Sequence, residues 1–322
     1  MKNPRHSPRR RAGFTLAELM IVVVLIGVIG GALTSLLVRQ QRFHRAIASV
    51  TDSRARMRDV ATILPTDLRS ISTVGDDILA LSLTSMQFRA FVGTSIVCRF
   101  VSATVIDIPP KVLASGNVLT AWINPPVAGD IGYIYDEGLN DGNADDTWVP
   151  FTISSVASAV NTSWCPTSSK FTTAGDAGAT SYEITADAAP ATTRVQLGSV
   201  LRFAREVRYS IYQGADGQWY VGYERCTPNA DRTLPGICAN REVLAGPVQP
   251  ATTDAATSGL YFLFYDQNGG QITDVANAAQ IARVDVGIRT TAESLRRAAS
   301  NTNLQITGGD SLKFTVGFRN RI

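Results

Sequence analysis

The sequence predicts an α+β protein in which one long N-terminal helix packs on the antiparallel β-sheet of a globular head. Two observations lead to this fold class. An apolar run near the N-terminus continues into a segment without glycine whose hydrophobic residues recur at helical spacing. After residue 72 the hydrophobic residues alternate instead, and glycine-rich turns separate the alternating segments. The 322 residues are enough for such a head to bury a core.

Residues 14–38 are predicted to form a transmembrane helix. Twenty residues from Leu19 to Val38 carry no charge, and at about 1.5 Å per residue they span roughly 30 Å, the thickness of a bilayer core. A buried core helix is seldom apolar on every face for so long. The apolar region of a secretory signal peptide is shorter and ends in a cleavage site of small residues. Arginines flank the segment on both sides, so charge does not set its orientation.

Residues 39–71 are predicted to continue the helix with one apolar stripe that packs on the head. The helix is expected to end or kink near Pro65, which cannot donate the backbone hydrogen bond. The stripe consists of hydrophobic residues three, four or seven positions apart: Phe43, Ile47, Val50, Met57, Val60, Ile63 and Leu64.

A short motif precedes the apolar run, namely Gly13-Phe14-Thr15-Leu16-Ala17-Glu18 after a leader with five basic residues. With this motif the sequence resembles the type IV pilin-like proteins, which include type IV pilins and the pseudopilins of type II secretion. The resemblance implies that prepilin peptidase removes residues 1–13 on the cytoplasmic side, after Gly13, and that the new amine of Phe14 is methylated. It also implies a pilin-like fold.

Glu18 is the residue of the motif that needs a physical explanation. A lone carboxylate near hydrocarbon costs at least a few kcal/mol, so it should have a partner or a function. The resemblance implies that Glu18 of one subunit meets the Phe14 amine of a neighbour when the helices bundle, which relieves two buried charges together. The alternative is that Glu18 lies at the membrane interface and reaches water.

Residues 72–322 are predicted to form a β-rich, exported head. Alternation is clearest in SLKFTVGFR and IARVDVGIR, and VRYSIYQGADGQWYVGYERC contains two strands around an Asp216-Gly217 turn. The region from Leu201 to Asn268, with its Tyr-Asp-x-Asn-Gly turn, also resembles the J-type minor pseudopilins and the W-type minor pilins. Residues 107–196 are rich in Thr, Ser, Ala, Gly and Pro, and we expect an irregular insertion there.

Four cysteines, all in the predicted head, suit a compartment in which disulfides form. Cys226 and Cys238 flank a short loop rich in Pro and Gly, so we expect them to pair, which leaves Cys98 for Cys165. The alternative is four buried free thiols.

The sequence offers little for catalysis, and we predict that the protein is not an enzyme and needs no cofactor. Its two histidines, His6 and His44, both precede the head, and no P-loop or dinucleotide fingerprint is present.

The acidic run YDEGLNDGNADDTW could suit calcium, but it is out of EF-hand register, and a solvated turn is favoured over a metal site. Without the first thirteen residues, 25 basic residues face 27 acidic ones, so a nucleic-acid partner is not expected. The segment RFAREVRYSIY interleaves three arginines with aromatic residues, and we predict an ordinary exposed strand face there rather than a site that contacts DNA.

These observations predict a minor pilin or pseudopilin that primes or caps a filament of type II secretion or of a type IV pilus. Its expected partners are prepilin peptidase, other pilin or pseudopilin subunits, the inner-membrane assembly platform and membrane lipid. We expect a single pass through the bacterial inner membrane with a periplasmic head, and later a place in a filament. The alternative function is a signal-anchored periplasmic enzyme, or a domain that binds carbohydrate or another adhesive ligand.

Overall fold

The structure is a computed structural model that describes residues 15–73, 75–122, 124–140, 145–160, 163–188, 194–290 and 311–318. Within them lie one α-helix, α1 (Leu16–Arg69), and fifteen strands. The strands are β1 (Ile78–Leu81), β2 (Ser85–Ile96), β3 (Arg99–Phe100), β4 (Val105–Ile108), β5 (Ala121–Trp122), β6 (Ile131–Asp136), β7 (Thr147–Val160), β8 (Thr180–Ala186), β9 (Val200–Gln213), β10 (Trp219–Thr227), β11 (Ile237–Val248), β12 (Leu260–Tyr265), β13 (Gln271–Ile272), β14 (Arg283–Arg289) and β15 (Ser311–Gly317). Short 3-10 helices span Thr167–Ser169, Ala174–Asp176 and Val275–Gln280.

The described residues divide into two compact units. Residues 15–52 form one unit, and the described residues from Ser53 onward form the other, which contains the last part of α1 and all the strands. A helix together with antiparallel sheets makes the fold α+β, as the sequence predicts.

The last part of α1 packs on the sheet through a buried stripe. Met57, Val60, Leu64 and Leu68 belong to the main apolar core, whereas Ile63, a predicted member of the stripe, is 42% exposed. Phe43 and Ile47 are exposed as well, and the side chain of Val50 lies outside the described residues.

The helix continues past Pro65 and ends at Arg69, so it does not end at the proline itself, and a kink near Pro65 stays a prediction. Proline removes one backbone donor and strains the turn before it. Leu64 and Leu68, on either side of Pro65, are fully buried. Burial of each such side chain contributes roughly 2 kcal/mol, which offsets the missing hydrogen bond.

The larger sheet has eleven strands in the described part of the chain, and every pair is antiparallel. Its main path is β1-β2-β9-β6-β7-β8-β4-β3, while β5 pairs with β2. Along one edge of β9, the first half of the strand pairs with β6 and the second half pairs with β10. The sheet therefore forks at β9, and β11 lies beyond β10.

Strand β9 contributes to two separate apolar cores. Val207 and Tyr209 lie in the main core with the end of α1, and Leu201 and Phe203 lie in a second core between β2, β4 and β6–β8. The two cores therefore share one continuous strand.

Residues 107–196, expected to be irregular, instead contribute β5–β8 and the end of β4 to the larger sheet. Strand β7 reads TWVPFTISSVASAV, in which small and hydroxylated residues occupy many exposed positions. Only Phe151 and Ile153 of this strand are buried. The alternating hydrophobic signal that marks a strand is therefore weak in the sequence, although the backbone pairs along most of β7.

The smaller sheet has the order β13-β12-β14-β15, and it confirms the strands predicted near the C-terminus. Val284, Val286 and Ile288 are buried on one face of β14, as predicted. Asp266 accepts hydrogen bonds from the backbone N–H groups of Asn268 and Gly270, which closes the predicted turn after β12.

A partly buried hydrogen bond ties α1 to the larger sheet. The hydroxyl of Tyr209 donates to Asp67 Oδ2 at 2.6 Å, and the Tyr209 ring stacks on Phe88 with ring centroids 5.8 Å apart. Burial raises the pKa of Asp67 above its usual value, although the hydrogen bond from Tyr209 works against this. The last turns of the helix are thus held by a specific polar contact as well as by apolar packing.

Candidate functional site

Glu18 closes the N-terminus of α1 in a reciprocal capping arrangement with Thr15. The Glu18 carboxylate accepts hydrogen bonds from the Thr15 backbone N–H at 2.9 Å and from the Thr15 hydroxyl at 3.1 Å. The Thr15 hydroxyl in turn accepts from the Glu18 N–H at 3.3 Å. This is a capping box, in which a Thr and a Glu three residues later satisfy donors that the helix leaves unpaired. The cap meets hydrogen-bonding needs, but it does not neutralise the charge of Glu18.

The helix that follows has an apolar surface all round. Residues Leu16–Arg45 are long and apolar enough to cross a membrane, judged by length and composition. The large apolar side chains from Leu16 to Val38 are 42–79% exposed. An apolar surface of this extent marks contact with lipid or with other helices.

The other polar groups of this stretch are satisfied within the helix. Thr34 Oγ1 donates to the Gly30 carbonyl at 2.7 Å, and Ser35 Oγ donates to the Ala32 carbonyl at 2.9 Å. Glu18 is the one ionisable residue between Leu16 and Val38. The unmatched charge of the segment is therefore concentrated in a single side chain.

Two residues of the predicted processing site, Gly13 and Phe14, lie outside the described residues. The helix glycines Gly27, Gly30 and Gly31 have open space where a Cβ would stand. Contacts among the described residues therefore do not require glycine at these three positions.

The structure pairs Cys98 with Cys165 and Cys226 with Cys238. The second bond joins β10 to β11 and closes a loop over residues 227–237. This loop is held on the sheet by two side chains that are almost fully buried: Gln87 Nε2 donates to the Gly236 carbonyl at 2.9 Å, and Glu206 Oε1 accepts from the Gly236 N–H at 2.6 Å. The loop is therefore a fixed part of the head.

In the acidic run 136–146, Asp136 and Asp145 use their carboxylates to cap turns. Asp136 accepts from the N–H of Gly138 at 3.0 Å, and Asp145 accepts from the N–H groups of Leu139 and Asn140. Asp146 accepts from the hydroxyl of Tyr135, and Asp141 lies outside the described residues. Over the described ranges no three His, Cys, Asp or Glu side chains are arranged to hold a metal ion.

The arginines of β9 are each paired with a buried carboxylate. Arg202 contacts Asp77 at 2.8 Å, and Arg205 makes two hydrogen bonds to Asp130 at 2.6 and 2.7 Å. Arg208 pairs with Glu224, which Arg241 also contacts. Burial of Glu224 opposes ionisation, but the two guanidinium groups outweigh it and lower its pKa. The strand therefore presents compensated ion pairs rather than a basic stripe.

Comparison with known proteins bears on the N-terminal segment. Residues 8–34 match the prokaryotic N-terminal methylation motif. Neither the curated proteins nor the solved structures contain a match to this chain.

The methylation motif contains both the capping box and the apolar start of α1. It implies processing by prepilin peptidase and assembly with other pilins, and it indicates a pilin- or pseudopilin-type protein anchored in a membrane. A Thr followed three residues later by Glu before an apolar run is a sequence signal for a capping box, so the role of Thr15 could have been predicted from that spacing.

Proposed function

We propose that the protein is a minor pilin or pseudopilin that primes or caps a filament of type II secretion or of a type IV pilus. The supporting observation is the single charge at Glu18, placed at the start of an exposed apolar helix inside a methylation motif. An ionised side chain at the centre of a bilayer costs about 2.5–3.5 kcal/mol on insertion scales. The capping box leaves this charge uncompensated, so a cationic partner has a clear energetic role.

The partner in this proposal is the amine of Phe14 on a neighbouring subunit, created when residues 1–13 are removed. Two opposite charges that meet between packed helices relieve the desolvation cost of both. The exposed apolar surface of α1 supplies the area over which the helices associate. Before assembly the protein crosses the inner membrane once, with its head in the periplasm.

The head determines which place in the filament the subunit takes. Residues 72–322 make a large head for a subunit that packs along a filament, so a position at the tip is favoured. A J-type pseudopilin and a W-type minor pilin have this same architecture. Neighbouring genes for a secretion ATPase and other pseudopilins support the first assignment, whereas genes for twitching or adhesion support the second.

Processing provides the direct experiment. The protein is expressed in cells with and without prepilin peptidase, and the N-terminus is read by intact mass and terminal sequencing. We expect a chain that begins at Phe14 and carries one methyl group, formed only when the peptidase is present. Gly13→Val blocks cleavage, while Gly27→Ala, at a glycine with open space around it, is the matched control and leaves it unchanged. An intact Met1, or a start at any other residue, refutes the proposal.

A further inference from the structure

The head contains a cavity of about 250 Å³ beside the Cys98–Cys165 disulfide. Apolar rings form part of its wall, contributed by the half-buried Trp164 and by Pro110 and Pro166. Hydroxyl groups form another part, contributed by Thr167 at the rim and by Ser181, which is 4% exposed. Apolar rings with a few placed polar groups are typical of a small-molecule site.

The wall of this cavity is held in place although most of it is irregular backbone. The Cys98–Cys165 disulfide anchors it, and the Thr172 hydroxyl donates to the Cys165 carbonyl at 2.6 Å. Cys165 and Lys170 adopt left-handed conformations, with φ of 50° and 67°, which side chains other than glycine seldom accept. Such strained residues persist where the surroundings fix them, and they concentrate at functional sites.

A second set of contacts fixes another part of the lining. The Asp176 carboxylate accepts from the Ala114 N–H at 2.5 Å and from the Thr173 N–H and hydroxyl at 2.6 and 2.8 Å. With these hydrogen bonds in place the cavity is preorganised, so a ligand does not have to order the loop when it binds.

The charge of the lining selects the class of ligand. Asp176 is the one ionisable side chain among the described residues that line the cavity, and its carboxylate is already engaged with three donors. A lining without a basic group does not favour an anion, and a carboxylate committed to the loop does not favour a cation. The remaining groups are hydroxyls, which donate and accept hydrogen bonds, and the flat face of an indole.

We propose that this cavity binds one neutral sugar ring of pyranose size, presented as a unit of a glycan. The C–H face of the ring stacks on Trp164, and its hydroxyl groups bond to Thr167 and Ser181. The volume is below the range of about 300–1,000 Å³ for drug-sized ligands, which suits a single ring. The proposal does not rest on filament assembly, because the residues that carry it all lie in the head.

The test uses the full chain in a polyoxyethylene detergent, because maltoside and glucoside detergents carry sugars themselves. Saturation-transfer NMR measures binding of the methyl glycosides of glucose, galactose, mannose and N-acetylglucosamine. We expect saturable binding of at least one glycoside in the millimolar range. Trp164→Ala should weaken it by about tenfold or more, and Thr167→Val by about threefold. The matched control Trp148→Ala removes a 44% exposed tryptophan from β7 and should change binding by less than about twofold.

Several outcomes overturn this proposal. One is the absence of saturable binding for all four glycosides well above the millimolar range. Another is binding that Trp164→Ala leaves unchanged, or binding of tetramethylammonium in place of the sugars. If Trp164→Ala does not fold, as judged by near-UV circular dichroism, Thr167→Val decides. Thr167 is exposed at the rim, and unchanged binding in that variant overturns the proposal.

Discussion

Replacing Glu18 with Gln or with Ala separates the two roles that this side chain can have. Gln keeps an oxygen that can accept from the Thr15 N–H and hydroxyl, now at 2.9 and 3.1 Å from the Glu18 carboxylate. Gln also occurs naturally at this position of a capping box. The Gln variant therefore keeps the cap and loses the charge, whereas Ala loses both.

The two roles predict different losses of incorporation into filaments. If Glu18 acts only as a cap, Gln behaves as wild type, and Ala loses about 1 kcal/mol, or roughly fivefold in incorporation. If Glu18 neutralises a neighbour's amine, Gln leaves that amine unpaired, and the cost reaches about 2.5–3.5 kcal/mol where the packed helices exclude water as fully as the centre of a bilayer does. A loss near 3 kcal/mol corresponds to roughly a hundredfold fall in incorporation. We expect the larger loss for both Gln and Ala.

Incorporation is measured by competition within one cell. A tagged variant and the untagged wild type are expressed at equal levels, and the tagged fraction is quantified in sheared filaments after intact mass has confirmed equal processing. Thr15→Val is the matched control, because it removes the hydroxyl of the cap and keeps the charge of Glu18. We expect a loss of no more than about fivefold for this variant. Normal incorporation of the Gln variant would refute charge pairing.

The head offers four further predictions, each checked by denaturant or thermal unfolding of the full chain. Tyr209→Phe should lose about 1–3 kcal/mol, because it leaves the partly buried Asp67 carboxylate without its donor. Asp67→Asn should flatten the pH dependence, because burial raises the pKa of Asp67 in the folded state. Below about pH 4 Asp67 is protonated in both the folded and the unfolded protein, so the wild type has the full stability gained at this site. That stability is lost as pH rises through the folded pKa of Asp67. Removing the Cys226–Cys238 bond by a double Ser substitution should cost about 3 kcal/mol. Gly132→Ala should cost about 1–3 kcal/mol, since its Cβ would lie 2.2 Å from the Phe151 ring.

Matched variants test the reasoning behind these four. Tyr220→Phe removes a similar hydrogen bond, to Asp216, at an exposed site and should lose less than about 0.5 kcal/mol. Gly178→Ala, at a glycine with open space, should be close to neutral. Equal losses at Tyr209 and Tyr220, or at Gly132 and Gly178, would contradict the role assigned to burial. For Asp67→Asn, wild-type stability that rises relative to the variant as pH increases above about 4 has the wrong sign. For the disulfide, unchanged stability after the double substitution contradicts the estimate.

Features with a local cause could be predicted from the sequence. The strands β14 and β15 follow alternation over a few residues, and the turn at Asp266 follows from turn chemistry within one pentapeptide. The apolar start of α1 is likewise visible in a continuous run. In each case neighbouring residues contain the whole signal.

Features that depend on distant contacts could not be predicted. Asp67 and Tyr209 are 142 residues apart, and Asp130 and Arg205 are 75 apart, so neither pair leaves a pattern in a sequence window. Strands β6–β8 form although β7 is poor in alternating hydrophobic residues. Their position in the sheet is set by the pairing of β6 with β9 and by packing in the second core. Tertiary context of this kind overrides local preference. The cavity beside Trp164 is also assembled from separate segments of the chain.

The strand shared by the two cores limits how the head can be simplified. Strand β9 supplies Leu201 and Phe203 to one core and Val207 and Tyr209 to the other. Deleting residues 107–196 as if they were a loop would therefore expose half of β9 to solvent. A slip of one residue in its pairing would turn both sets of side chains to the wrong face. Native-state hydrogen exchange should therefore find the amides of β9 among the slowest, opening only with global unfolding. The head is in this sense a single cooperative body. A shortened version of it has to keep the strands that cover both ends of β9.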